Sequence, residues 1–190
     1  MTHGRSKAGS RRLFLRNEDG SVALEFALVG PILIVLILGV VEATNMLAQD
    51  RKIALTNEMM VDYIARLKTV AASDQTTVSQ AVDLMMTPYS VNYKASIAIV
   101  AFDASGNPNY SSGSAQFAVH GSGYCFTQSE MTTDTSGLSA GSDSAVIGKI
   151  SSVYEPILFP TFMPQNFSLG ALNTQRPREK QVTSSLTTCS

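Results

Sequence analysis

The residues able to do covalent chemistry are few and poorly placed for it. Nucleophilic catalysis needs a nucleophile, a base and a group that orients the base. His120 is the one histidine after the N-terminal region, and Ser111, Ser112, Ser114 and Ser122 lie near it in sequence. No G-x-S-x-G elbow or comparable signature frames them, so His120 reads as a solvated side chain in a Ser-rich stretch and the chain as a non-enzyme. Asp103, Ser105 and Asn107 offer oxygen atoms at alternate positions, as the start of a calcium loop would. An EF-hand also needs glycine sixth and glutamate twelfth, where this sequence has Pro108 and Ser114, so the stretch reads as a turn. Met59, Met60, Met85 and Met86 read as core packing rather than as ligands of copper or haem. With no Cys/His cluster and no glycine-rich phosphate loop, neither a metal nor a cofactor is expected.

Two cysteines remain, Cys125 and Cys189. A lone pair in an exported chain reads as a structural disulfide rather than as a reactive site.

The most informative chemistry is a carboxylate in an apolar place. Phe26 to Val41 reads FALVGPILIVLILGVV, uncharged throughout, and with Val22 to Leu24 it reaches the roughly 20 residues needed to span a bilayer. Glu25 lies inside that stretch, where an unpaired carboxylate costs on the order of 2 to 3 kcal/mol or more. A plain signal anchor has no use for it. If the bond after Gly20 is cut, Ser21 becomes an ammonium terminus and Glu25 sits one helical turn below it. The carboxylate can then pair with the terminus of its own or a neighbouring chain, offsetting its desolvation. Glutamate near a helix N-terminus also suits the helix dipole and can reach the headgroups, which is the simpler alternative.

Arg5, Lys7, Arg11, Arg12 and Arg16 precede the apolar run. No aromatic residues interleave with them and no helix-turn-helix pattern follows, so they read as a topology signal holding the N-terminus in the cytoplasm, not as a nucleic-acid site. The rest of the chain is then placed outside.

The ordered series of basic leader, Gly20-Ser21-Val-Ala-Leu-Glu25-Phe26 and long aliphatic helix resembles the N-terminus of the TadE/TadF pseudopilins of the tight-adherence (Flp) pilus system. The resemblance implies cleavage after Gly20 by a prepilin peptidase, Ser21 as the mature N-terminus, and Glu25 and Phe26 as the residues read by the peptidase and the assembly machinery. It also implies partners: the bacterial inner membrane, other pilins or pseudopilins, and the Tad secretion apparatus. Weaker likenesses to the end of such domains occur at Val153-Tyr154-x-Pro156 and Arg176-Pro177-Arg178. The competing reading is a single-pass, signal-anchored periplasmic binding or scaffold domain without a pilus role.

These residues need elements to position them. The chain has 190 residues and net charge -1, enough for one modest exported domain after a leader and a span. The expected class is α+β and pilin-like, a long membrane-spanning and amphipathic N-terminal helix packed against a small antiparallel β-sheet. The boundaries expected are 1–20 for the leader, 21–42 for the span, 43–88 for a helical stalk and 89–190 for a β-rich domain. Met46, Ile53, Met60, Ile64 and Leu67 recur at helical spacing up to about Val70, opposite Asp50, Arg51, Glu58, Asp62, Arg66 and Lys68. A second helix is predicted over Val78–Met86, with Thr77 and Gln80 as its capping pair. Strands are predicted at Val91–Phe102, Ala115–Val119, Ser144–Tyr154 and Lys180–Ser185, making a sheet of about four. Thr127 to Ser144 and Phe159 to Gln175 are expected to be long loops. Pro31 either kinks the first helix or is tolerated in it.

Overall fold

The computed structural model describes residues 19–89, 93–110, 114–121, 125–138, 143–157, 166–179 and 182–184. The fold is α+β, and the chain divides into two compact units at Thr44/Asn45.

The first unit is the N-terminal part of helix α1, Asp19–Ala65. The helix continues through Pro31. Its residues are apolar all round the helix, the pattern of a helix that is buried or spans a membrane rather than of a surface helix.

The second unit begins with the rest of α1 and continues through β1 (Thr69–Val70), α2 (Ala72–Met86), β2 (Tyr93–Phe102), β3 (Pro108–Asn109) and β4 (Ala115–His120). It closes with α3 (Gln128–Asp134), β5 (Ser144–Tyr154), β6 (Phe167–Gln175) and β7 (Thr183–Ser184). β2 is central: β5 lies along one edge, while β4 and then β3 lie along the other, and β6 follows β5. All these pairings are antiparallel, giving five strands where about four were expected.

The part of α1 in the second unit lies along the sheet. Gln49 Nε2 donates to Ser152 Oγ (2.8 Å) and Asn57 Nδ2 donates to the Gly148 carbonyl (3.0 Å). Eight helical residues rise about 12 Å and four strand residues about 13 Å, so α1 runs nearly along β5 and antiparallel to it. Gly148 permits the approach. A Cβ there would lie 2.3 Å from Val61 Cγ2 and 2.7 Å from Asn57 Oδ1. Glycine inside a strand often marks such close packing.

Both faces of β2 are buried. Tyr93, Ala95, Ile97 and Ile99 join Ile53, Met60, Val61 and Ile64 of α1 and Val78, Val82 and Met86 of α2 in one core. The alternate residues Ala98, Val100 and Phe102 pack with Phe126, Met131, Ala145 and Ile147 on the opposite face. The period-2 pattern of β2 therefore feeds two cores rather than one core and water.

Several expectations are corrected. The first helix ends at Ala65, and Thr69–Val70 is already extended. The second helix starts at Ala72, not Val78; Thr77 lies inside it, its hydroxyl donating to the Ser73 carbonyl, so Thr77 and Gln80 are not its cap. Asp74 takes that role by accepting from the Ala71 N–H (2.9 Å). The stretch Thr127 to Ser144 contains α3, and Phe159 to Gln175 ends in β6. Of Lys180–Ser185, Thr183–Ser184 pairs in parallel with β1 and stands outside the main sheet. Val91, Lys180 and Cys189 lie outside the described residues.

Candidate functional site

Gly20 and Ser21 fall in the first turn of α1, and Glu25 follows Ser21 by four residues. An i, i+4 spacing puts Glu25 on the same face as Ser21, one turn along. Phe26 is 75% exposed, and a Cβ on Gly30 would lie 3.8 Å from its ring, so the ring covers the bare backbone of the next turn. From Ser21 to Val41 Glu25 is the single ionisable side chain.

Around it the helix is apolar on every side and exposed on every side. Thirteen large apolar residues from Val22 to Val41 are exposed, and none of the most apolar stretch is buried. Burying one such side chain stabilises by about 1.5–3 kcal/mol, so leaving all of them in water costs on the order of 20 kcal/mol or more. Core packing within the chain does not remove that cost. A lipid phase or a bundle of like helices does, and the length and composition of α1 suit a single membrane crossing.

Residues 20–54 match the family model of TadE-like protein. The N-terminal helix is TadE-like. The match takes in Gly20, Ser21, Glu25 and Phe26, the whole exposed apolar stretch, and the first buried turns of α1 up to Ala54, consistent with a TadE-like member of the Tad/Flp pilus system. No curated protein and no solved structure matches the chain. One apolar helix of this kind fits a single-pass membrane anchor.

The polar clusters of the second unit are structural by geometry. His120 Nδ1 lies 2.9 Å from Asp83 Oδ1, and its ring stacks on Tyr93 with centroids 4.0 Å apart. The Tyr93 hydroxyl also donates to Asp83, and burial with that carboxylate pushes the Tyr93 phenol well above its ordinary range. The cluster ties α2 to β2 and β4. Among the described residues no serine hydroxyl or thiol is hydrogen-bonded to the His120 ring, and Ser114 is spent on the backbone, donating to the Asn109 carbonyl and accepting from the Ala101 N–H. Ser111, Ser112 and Ser122 lie outside the described residues.

Asp103 accepts from the Ser105 and Asn107 N–H groups at 2.9 and 2.8 Å, closing a side-chain turn that ends in β3. Those bonds, led by the one from Asn107, hold its carboxyl below the ordinary range. The oxygen-rich stretch is thus a turn, as its composition indicates.

The residues that sequence reasoning missed are those fixing the layers. Glu130 accepts from the Thr127 N–H and hydroxyl while Thr127 Oγ1 accepts from the Glu130 N–H, a complete capping box starting α3. The same carboxylate meets Lys149 Nζ at 3.2 Å, and Lys149 also donates to the Cys125 carbonyl (3.0 Å) while lying over the Phe126 ring. The backbone bond from Thr127 is the main reason the Glu130 carboxyl lies below its usual range. Lys149 thereby holds Cys125, itself half-buried, and α3 against the sheet. T-x-x-E at Thr127 was a readable signal for α3, and a lysine within the apolar run of β5 was one for a buried partner.

Proposed function

We propose that this chain is a minor pseudopilin that works in assembly of an adhesive Flp-type pilus. Its basic N-terminus stays in the cytoplasm, a prepilin peptidase cuts after Gly20, and the second unit is carried outside the inner membrane. The mature helix packs through its apolar surface against other pilin or pseudopilin helices. Glu25 then pairs with the Ser21 ammonium of its own or a neighbouring subunit, and the role is physical rather than catalytic. The observation carrying this reading is the coincidence, within one TadE-like helix, of an exposed apolar surface and a single carboxylate one turn below Ser21.

The energetic logic favours assembly over a bare anchor. A carboxylate in the hydrocarbon costs about 2.5–3.5 kcal/mol, which an ammonium partner offsets in the low-dielectric bundle. An anchor that never assembles gains from it only the helix-dipole interaction and headgroup contact, with no ammonium partner to offset burial. In the same reading Cys125 and Cys189 form one disulfide that restrains the C-terminal end of the exported unit.

Glu25→Ala tests the assembly role. The variant is expected to reach the membrane at wild-type level and to leave pilus assembly lost or strongly reduced. Wild-type pilus numbers with the variant would remove Glu25 from the mechanism and favour the anchored scaffold domain.

A further inference from the structure

We infer that the outward face of α1 in the second unit, from Leu47 to Glu58, docks on the same face of a second copy of this chain, parallel to it and displaced by seven residues. The other face of this part of the helix carries Gln49, Ile53, Asn57 and Met60, which are buried against the sheet. At about 100° per residue, Leu47, Arg51, Ala54 and Glu58 fall on the opposite side, within about 60° of one another, and Leu55 flanks them. All five are exposed, Leu47 and Leu55 to 58% and 61%.

A surface helix ordinarily turns a polar stripe to water. This stripe mixes leucine and alanine with two opposite charges, and the charges have no partner. Among the described residues neither Arg51 nor Glu58 makes a hydrogen bond or an ion pair, whereas the neighbouring Lys52 donates to the Thr87 carbonyl and Asp62 pairs with Arg66. Arg51 and Glu58 do not meet within the helix. Seven residues set them about 10 Å apart along its axis, where side chains meet at a spacing of about three or four.

A copy of the same helix matches both charges at once. Seven residues are close to two whole turns, so a parallel copy shifted by that amount presents the same face. Arg51 of one chain then stands beside Glu58 of the next, and Leu47 beside Ala54, a large side chain against a small one. The other self-pairings fail on the same residues. A parallel copy in register sets Arg51 against Arg51 and Glu58 against Glu58. In the antiparallel register that joins Arg51 to Glu58, Leu47 lies on Asp62, an apolar side chain on an ion pair already formed with Arg66. The stripe is about 16 Å long, too short to hold two chains together alone. The inference therefore rests on the assembly reading above, and names a second copy as one neighbour of the helix.

The test produces two full-length chains together in host cells that carry the pilus apparatus, one tagged and bearing p-benzoylphenylalanine at Leu47, the other untagged. Irradiation should join tagged to untagged chain, with the cross-link at Ala54 of the second copy or within one turn of it. The same photocrosslinker at Leu84, 78% exposed on α2, should give no adduct to that segment. Arg51→Glu or Glu58→Arg, made in both chains, turns attraction into repulsion and should cut the adduct by about three- to tenfold. The double variant Arg51→Glu/Glu58→Arg should restore it, which a change in folding or in membrane level would not do. A cross-link centred on Leu47 or on Asp62 of the second copy, adducts to other proteins or to lipid alone, no adduct, the same adduct from Leu84, or a double variant no better than either single one would overturn the inference. The cross-link reads the register and the pilus count of Glu25→Ala reads assembly, so either can fail alone.

Discussion

Substituting Gly148 by alanine should break the contact on which α1 is seated. The added methyl would stand 2.3 Å from Val61 Cγ2, 2.7 Å from Asn57 Oδ1 and 3.0 Å from Met60 Cε. Val61 is β-branched, fully buried and confined to few rotamers, so it cannot swing aside. The helix must move off the strand. Overpacking of this kind costs about 1–3 kcal/mol, and stretching the Asn57 bond to the Gly148 carbonyl strands a buried amide for about 1–3 kcal/mol more. Because the two losses share one displacement, about 2–5 kcal/mol is expected. For a unit of this size each kcal/mol lowers Tm by roughly 2–4 °C, so thermal unfolding of the detergent-solubilised protein should fall by about 5–15 °C. Gly170→Ala is the control: its Cβ would meet the Ile150 carbonyl at 3.3 Å on an open edge strand, and a change within about 1 kcal/mol is expected. Val61→Ala should recover part of the loss when combined with Gly148→Ala. Alanine at a strand glycine is otherwise favoured by about 0.5–1 kcal/mol of backbone entropy. A Gly148→Ala protein as stable as wild type, or more so, would refute the seating of α1 described here.

Asp134→Asn should stabilise the protein at neutral pH and not in acid. Burial, helped by the Glu130 charge, raises the Asp134 carboxyl, and its Oδ2 is buried without a partner at the C-terminal end of α3, where negative charge opposes the helix dipole. A raised folded-state pKa means stability fully present below the ordinary Asp range and lost as pH rises through the raised value. Asparagine escapes that loss, so a gain of about 0.3–1 kcal/mol from the helix-end charge alone is expected near pH 7, vanishing near about pH 3. Glu130, whose depressed carboxyl loses its contribution as pH falls, titrates in both proteins and differs between them only by its repulsion with Asp134, which the substitution also removes. An equal effect at both pH values would exclude the charge as its cause. For the proposed disulfide, iodoacetamide applied to the unfolded protein without reductant should leave Cys125 and Cys189 unmodified; alkylation of both would exclude the bridge.

Much of the fold was legible because its signals are local and periodic. The uncharged run after Glu25, the 3.6-residue spacing of Ile53, Met60 and Ile64, and the alternation of Tyr93, Ala95, Ile97 and Ile99 each report which side of an element is dry. Ser144–Tyr154 emerges with the bounds that its composition predicts. The misses come where local pattern competes with tertiary packing. β6 carries Gly, Asn, Thr and Gln, weak strand formers or polar residues, and is extended because nine backbone pairs with β5 hold it. α3 is seven residues long, below the length at which an isolated helix persists, and depends on its capping box and on Met131 in the core. The first turn of α2 reads polar because Ser73, Asp74, Gln75 and Thr76 precede its buried face, and the capping role of Asp74 was masked by the Thr77–Gln80 pair. Gly20, Ser21, Glu25 and Phe26 lie within seven residues of one helix, so their reading depends on local sequence rather than on residues brought together by folding.

The mass of the N-terminal peptide of the protein extracted from membranes of a host with an active prepilin peptidase tests the central claim most directly. A chain beginning at Ser21 is predicted, with the leader through Gly20 absent. A chain that keeps its basic leader intact in that host would contradict the pseudopilin reading and leave α1 as an anchor.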